Sequence, residues 1–143
     1  MSGKKTKAKE LARDILSKNP NSPGILCTLG EIEKNDDHFR RAWEVSKGKY
    51  GRAMRCLGKS LYEKNKLDEA ILCLEKATKL NTLYSNPWFL LGCGYMRIKK
   101  WNKAVYAFGN VLTIDQSQSD AWSNMATCFM QMSEKEVEAL LCI

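Results

Sequence analysis

Apolar and small residues recur at helical spacing in the middle of the chain. One predicted helix face carries four residues separated by three or four positions, namely Trp88, Leu91, Gly92 and Tyr95. After a short polar segment, a second face carries Ala104, Phe108, Val111 and Leu112. Alternating runs of β-branched residues are nearly absent. The pattern therefore predicts paired helices and no sheet.

The same pattern returns at one constant interval on either side of this segment. The later copy of the first face comprises Trp122, Met125, Ala126 and Phe129, and the earlier copy comprises Met54, Leu57, Gly58 and Leu61. The second face also has an earlier copy, formed by Ala70, Leu74 and Ala77. The interval, about 34 residues, is typical of stacked helix pairs, none of which buries its apolar face alone.

Residues 85–118 follow the pattern W-x2-L-G-x2-Y, then Ala, then an aromatic residue four positions later. This pattern resembles the tetratricopeptide repeat family, whose signature has the same period. The resemblance implies an all-α fold, a right-handed α-solenoid of helix-turn-helix repeats, here a fragment of a longer array. The residues that carry the repeat signature are Leu57, Gly58, Ala70, Leu74, Trp88, Leu91, Gly92, Tyr95, Ala104, Phe108 and Trp122.

Glycine inside a helix costs about 1 kcal/mol relative to alanine. We interpret Gly58 and Gly92 as positions where the two helices of a repeat cross, so that closer packing offsets this cost. Ala70 and Ala104 are small residues of the same kind on the second helix. Gly94 lies outside the pattern, and nothing in the sequence explains it.

The repeats divide the chain into five predicted segments. These are a basic N-terminal segment with the helix of a partial repeat (1–22), a shortened irregular repeat (23–50), two full repeats (51–84 and 85–118) and an incomplete repeat (119–143). Residues 42–58 resemble an irregular stretch in one much longer family member and its fungal counterpart, which implies a non-enzymatic intracellular helper.

Both ends of the pattern are irregular. The irregular repeat leads into the next one sooner than the period requires, and Glu138 stands where the second helix of the last repeat needs alanine. Ser133 and Glu136 have the spacing of a capping box. We expect residues 137–143 to present an uncovered apolar edge, and we expect the chain to be part of a longer protein or to be covered there by another chain.

Charge is concentrated in one half of the chain. The net charge is +7; residues 1–66 carry 16 Lys/Arg against 8 Asp/Glu, whereas residues 67–143 carry 7 against 8. A basic half is typical of proteins that bind acidic partners or nucleic acid, and also of an ordinary solvated helical surface with a basic tail.

Motifs for catalysis, nucleotides and metals are weak. The run Leu57–Ser60 ends like a phosphate-binding loop, but Ala53 stands where that loop needs glycine, and the run falls in a predicted helix. His38, the only histidine, is expected to be exposed in a first helical turn, and no two cysteines have the ligand spacing of a zinc site. We therefore expect no enzyme, no cofactor and no metal.

The longest apolar run falls short of the ~20 residues that span a membrane, and no apolar segment follows the basic start. These features predict a location in the cytoplasm, with the nucleus as a second compartment. They also predict reduced cysteines that act as small packing groups.

In this family, the first helix of each repeat lines a concave groove that binds a protein segment. The predicted groove residues of the two full repeats are Arg52, Arg55, Lys59, Tyr62, Asn86, Phe89, Cys93 and Met96, and those of the last repeat are Asp120, Ser123, Thr127 and Met130. A basic end beside an aromatic and thioether middle suits an extended segment with acidic and apolar residues.

The sequence therefore predicts a protein–protein interaction or scaffold module with no small-molecule substrate and no membrane contact. One alternative is a groove filled by helices of the longer protein itself, and another is a nucleic-acid-associated factor that uses the basic half. Family members that hold chaperone C-termini in a carboxylate clamp need asparagines where this chain has Lys59 and Leu90. We therefore expect no such clamp.

Overall fold

The computed structural model describes residues 2–142. They form nine α-helices and no strand. The helices are α1 (Ser2–Lys18), α2 (Pro23–Glu33), α3 (Asp36–Val45), α4 (Gly51–Glu63), α5 (Leu67–Leu80), α6 (Ser85–Arg97), α7 (Trp101–Ile114), α8 (Ser119–Gln131) and α9 (Glu134–Leu141). The all-α solenoid that the family resemblance implies is confirmed.

Three helix pairs, α2–α3, α4–α5 and α6–α7, stack along the chain, and α1 packs on α2. The turn inside the α4–α5 pair and the turn inside the α6–α7 pair have the same conformation. Asn65 and Lys99, which hold equivalent positions in the two repeats, both adopt the left-handed conformation, with φ of 60° and 61°. The residue after each one donates its backbone N–H to a carbonyl five positions earlier, at 2.9 Å. This closure reverses the chain and lays the second helix along the first.

Three glycines allow the paired helices to touch. A Cβ atom added to Gly58 would lie 2.7 Å from Leu74 Cγ, and one added to Gly92 would lie 2.7 Å from Phe108 Cε1. In the irregular pair, Gly30 faces Phe39 in the same way, at 2.5 Å. Each glycine therefore makes room for a large buried side chain of the second helix. The sequence predicted close packing at Gly58 and Gly92, but not that Leu74 and Phe108 face them.

The structure also explains Gly94. This glycine is buried, and an added Cβ would lie 3.1 Å from Ile71 Cγ1 of α5. Gly92 therefore faces the second helix of its own pair, whereas Gly94 faces the second helix of the preceding pair. The two glycines allow α6 to approach both neighbours.

Both helices of the irregular pair α2–α3 are shorter than those of the two regular pairs. Helix α3 has 10 residues where α5 and α7 have 14, and α2 has 11 where α4 and α6 have 13. The turn between α2 and α3 is one residue shorter, and the link to α4 is one residue longer. Phe39 and Ala42 nevertheless reach the core of this half of the protein.

The last pair of helices does not close. Ser133 stands at the register position of Asn65 and Lys99, but its φ is −71° and its ψ is 158°. Over their described residues, α9 does not pack closely along α8. The predicted capping box of Ser133 and Glu136 is confirmed. Trp122 differs from the other signature residues, because it is exposed where its counterpart Trp88 is buried.

Glu33 joins α1, α2 and α3. Its carboxylate accepts hydrogen bonds from Arg13 and from His38 Nε2, with an Arg13 Nη2 to Glu33 Oε1 distance of 2.7 Å. The expectation that His38 is exposed was wrong: this side chain is largely covered and lies 2.9 Å from Glu33. The hydrogen bond from His38, together with Arg13, lowers the pKa of Glu33.

We expect Gly92→Ala to destabilise the fold by about 1–3 kcal/mol, because the new Cβ clashes with the Phe108 ring and overpacking outweighs the gain in helix propensity. The matched control is Gly109→Ala in α7, where the nearest atom, Met125 Cε, is 3.9 Å from the new Cβ. This control should stabilise by roughly 0.5–1 kcal/mol. Urea denaturation followed by circular dichroism measures both. Equal stabilisation by the two variants would contradict the packing role of Gly92.

The lowered pKa of Glu33 makes its contribution to stability depend on pH. Because the pKa is lower in the folded state, the contribution is complete above the unfolded pKa of about 4.3 and disappears as pH falls through the folded value. We expect Glu33→Gln to cost about 1 kcal/mol at pH 7. The difference from wild type should shrink progressively as pH falls below about 4.3 in a series of denaturation curves. Glu44→Gln, at an exposed position of α3, is the matched control and should change the free energy of unfolding little at pH 7.

Candidate functional site

A cavity of about 300 Å³ opens between α4 and α6, on the side of the first helices. Four of the predicted groove residues line it, namely Arg52, Arg55, Lys59 and Asn86. The other lining residues were not predicted; they are Glu31, Cys56, Leu74, Tyr84, Pro87 and Leu90. The cavity therefore has a basic wall from α4 and an apolar wall from α6.

The three cations of the basic wall differ in how they are held. Arg52 Nη2 lies 2.9 Å from Glu31 Oε2, so this charge is paired. The Arg55 guanidinium lies 3.9 Å from the centroid of the Tyr84 ring, which holds it in a cation–π contact without neutralising it. Lys59 is exposed and has no ion-pair partner within residues 2–142. Arg55 and Lys59 thus remain available to an acidic ligand.

A second cavity, of about 380 Å³, continues the first between α2 and α4 and shares Glu31, Cys56 and Lys59 with it. Its far end is fixed by Asp36, which accepts hydrogen bonds from Ser60 Oγ at 2.6 Å and from Lys64 Nζ at 2.7 Å. Partial burial raises the pKa of Asp36, but these two hydrogen bonds outweigh it, and the pKa is lowered. Asp36 therefore remains ionised and keeps Lys64 in place.

The other four predicted groove residues lie away from the first cavity. Phe89, Cys93 and Met96 are partly buried against the core of the second half, and the Phe89 ring packs edge-on against Phe108 at 5.7 Å. The Arg97 guanidinium lies over the Tyr62 ring, 4.9 Å from the ring centroid. On α8, Asp120, Ser123, Thr127 and Met130 are all exposed. The structure therefore gathers the basic end of the predicted surface but not its aromatic middle.

A larger cavity, of about 500 Å³, lies between the second helices α5 and α7. Trp88, Tyr95 and Tyr106 form its apolar wall, and Leu140 of α9 lies at its edge. Tyr95 donates a hydrogen bond to Glu75 there. Leu140 of the chain's own last helix lines this cavity, whereas the cavity between α4 and α6 carries the unpaired cations Arg55 and Lys59, which makes that cavity the stronger candidate for an acidic partner.

The cysteines near the site are poor nucleophiles. Burial raises the pKa of Cys56 to about 12, and the hydrogen bond to Glu31 adds to the shift. Burial also raises the pKa of Cys27 to about 11. Thiolate is the reactive form of cysteine, so both groups are almost fully protonated at neutral pH. The run Leu57–Ser60 lies inside α4, with Leu57 and Gly58 buried.

Across residues 2–142, no three His, Cys, Asp or Glu side chains cluster in a way that would hold a metal ion. None of the described helices combines the length and the apolar character that crossing a membrane requires.

Known proteins that resemble this chain contain the tetratricopeptide repeat. The tetratricopeptide repeat model matches residues 51–83, which include both helices of the α4–α5 pair. The glycine-centred pairs, the regular period and this match confirm the resemblance to the tetratricopeptide repeat family.

Two relatives show which members of the repeat family this chain resembles. A TPR repeat-containing protein of Schizosaccharomyces pombe is 30% identical over 92% of this chain, and a tetratricopeptide repeat protein 27 homolog of Dictyostelium discoideum is 35% identical over 68%. The resemblance to a longer family member and its fungal counterpart is therefore confirmed as a resemblance to tetratricopeptide repeat protein 27. The chain spans 16% and 11% of the length of these two proteins.

Solved structures support the fold. The crystal structure of MamA protein superposes with a TM-score of 0.81, at 19% identity, over 96% of this chain and 79% of that one. At this identity the likeness shows the shared solenoid and nothing about ligands.

The cysteine environments predict selective modification. At pH 7.5, iodoacetamide should alkylate the exposed Cys142 first, whereas Cys27 and Cys56 should react at least ~100-fold more slowly, because the raised pKa leaves so little thiolate. Peptide mass spectrometry over a time course reads out each site. Cys142→Ser should abolish the fast phase. Rapid alkylation of Cys56 in the folded protein would contradict this environment.

Proposed function

We propose that this chain is a protein–protein interaction module that binds an extended, acidic and apolar segment of a partner between α4 and α6, without catalysis. The observation that carries the proposal is the unneutralised pair Arg55 and Lys59 on one wall of the cavity, opposite the apolar Pro87 and Leu90 on the other. An Asp or Glu side chain would meet the cations while a neighbouring Leu or Phe side chain entered the apolar side.

Preorganisation supports this proposal. Tyr84 holds the Arg55 guanidinium 3.9 Å from its ring centroid, and Glu31 holds Arg52 beside it. A ligand therefore loses less side-chain entropy in ordering these groups than it would with free arginines. The cavity is open and continues toward α2, which suits an extended chain rather than a compact small molecule.

The same contacts favour a peptide over nucleic acid. Within residues 2–142, six ion pairs tie Lys and Arg side chains of the basic half to acidic groups. Four of them join different helices, namely Lys9 and Arg13 to Glu33, Arg40 to Glu69 and Arg52 to Glu31, and a fifth ties Lys64, just after α4, to Asp36 of α3. Cations used in this way are less available to phosphates, whose neutralisation dominates nucleic-acid affinity. The basic half therefore offers fewer free charges than its composition suggests.

A chaperone-type carboxylate clamp does not suit this wall. Leu90 lines the cavity where the clamp needs an asparagine, and Lys59 occupies the other asparagine place. We therefore propose that the ligand is recognised through side chains within a segment. A cytoplasmic location with access to the nucleus is part of the same proposal.

Selection from a display library of random twelve-residue peptides tests the proposal. Wild type should enrich Asp and Glu next to Leu, Phe or Tyr, because Arg55 and Lys59 attract the acid and the α6 wall accepts the apolar group. Arg55→Glu/Lys59→Glu should lose binding of the selected peptides by at least ~10-fold and select basic peptides instead.

The matched control is Lys49→Glu/Lys76→Glu, which changes the net charge equally at exposed positions outside the cavity. This control should keep the wild-type selection. If it lost the selected peptides to the same extent as the groove variant, the effect would be one of net charge, and the site would be refuted. Enrichment of peptides without acidic residues would refute the proposed ligand class.

A further inference from the structure

The first cavity, between α4 and α6, carries more positive charge than one acidic side chain neutralises. Among the described residues that line it, Arg52, Arg55 and Lys59 are cations, whereas Glu31 alone is a carboxylate. The other lining residues are neutral, including Cys56, whose thiol is protonated because burial raises its pKa. The lining therefore has a net charge of +2, and a single Asp or Glu of a bound segment would leave one charge unmatched.

The Arg55 guanidinium is held in place, yet its hydrogen-bond donors remain unused. It lies 3.9 Å from the centroid of the Tyr84 ring, a contact that involves the ring and not a hydrogen-bond acceptor. Within residues 2–142, the guanidinium donates no hydrogen bond. Because its N–H groups form a planar fork that matches the spacing of phosphate oxygens, Arg55 is preorganised for an oxyanion with several oxygens.

Two further donors line the same cavity. Lys59 follows Arg55 by four positions on α4, so the two cations lie on one face of that helix. Asn86 reaches the cavity from the start of α6. In the part of the chain that the structure describes, the side chains of Lys59 and Asn86 make no hydrogen bond. The cavity therefore offers a guanidinium fork, an ammonium group and an amide to one ligand group.

We propose that the acidic group of the partner segment is a phosphorylated serine or threonine, an inference that rests on the segment binding proposed above. A phosphate monoester carries a charge of about −1.5 to −2 at pH 7 and has three acceptor oxygens, so it matches both the charge of the lining and its donors. A carboxylate has one charge and two oxygens. A short phosphorylated side chain also keeps the segment close to α4, so that an apolar neighbour reaches Pro87 and Leu90.

The surroundings of the cavity favour a phosphorylated protein segment over nucleic acid. The apolar wall of Pro87 and Leu90 suits an apolar side chain next to the phosphate and offers nothing to a second phosphate. Where the groove continues into the second cavity, Lys64 is tied to Asp36 at 2.7 Å. A strand of regularly spaced phosphates would therefore meet few free cations beyond the first cavity, whereas a segment with one phosphate needs no others.

Matched synthetic peptides test the phosphate. A degenerate peptide library with phosphoserine fixed at its centre is bound to the immobilised protein, and the recovered peptides are sequenced. The most enriched sequences are then made with phosphoserine, glutamate or serine at the centre, and their affinities are measured by fluorescence anisotropy. The phosphoserine form should bind at least ~10-fold more tightly than the glutamate form, and the serine form should bind more weakly than both.

Two variants make the test specific to the cavity. Arg55→Lys keeps the charge and removes the fork, and Lys59→Gln removes a charge at an exposed position. Each should weaken the phosphoserine form by at least ~5-fold and the glutamate form less, so that the ratio of the two affinities falls. Lys76→Gln, at an exposed position of α5 outside the cavity, is the matched control for Lys59→Gln and should leave this ratio unchanged.

The outcomes separate this inference from the function on which it rests. Equal affinity for the glutamate and phosphoserine forms would overturn the phosphate and leave the acidic ligand class in place, whereas binding of neither form would overturn both proposals. A control variant that lowers the ratio as much as Lys59→Gln would reduce the effect to net charge and overturn the inference. Displacement of the phosphopeptide by a single-stranded oligonucleotide or by inorganic phosphate, at equal phosphate concentration, would also overturn it, because the apolar wall would then play no part.

Discussion

The contact between a glycine of one helix and a large side chain of the next determines most of this structure. Gly58 against Leu74 and Gly92 against Phe108 fix both the distance and the register of their helix pairs. Neither helix of a pair buries its apolar face alone, so the contact and the burial depend on each other. The surfaces that face solvent, including the candidate groove, are displayed by pairs whose geometry this contact has already set.

The solenoid was predictable because its determinants repeat. Trp88, Gly92 and Phe108 have counterparts one repeat away, so the register identified the helix pairs and the glycines at their crossings, although not the large side chains that face those glycines. Gly94 was not explained in this way, because its partner Ile71 belongs to the preceding pair. Nor was the departure of α9 predicted; it accompanies an extended Ser133 at the position where the other turns have a left-handed residue, and Glu138 at the position of the small residue is the one sign of it in the sequence.

The candidate site was predictable only where it followed the repeat. Arg52, Arg55, Lys59 and Asn86 lie on helices with regular register, and the structure brings them around one cavity. Tyr84 and Glu31 were not predicted, because the groove was assigned only from the first helices of the regular repeats, whereas Tyr84 lies in a link between helices and Glu31 in the shortened pair. Glu31 nevertheless follows Gly30 as Lys59 follows Gly58, so the register of the shortened pair could have placed it in the groove. Phe89 was assigned to the groove, yet its ring packs against Phe108, because an aromatic side chain of this size reaches the core from an intermediate position.

Both halves of the solenoid have a buried apolar core, and the first half carries ion pairs between helices in addition. The ion pairs described all join residues before position 70, with Glu33 and Asp36 at their centres, whereas the second half is packed around Trp88, Phe89 and Phe108. Ionic strength screens partly exposed charge pairs and leaves apolar burial intact or strengthened. In concentrated salt, amide hydrogen exchange would therefore accelerate first in the N-terminal helices, so one continuous stack would respond to its surroundings as two.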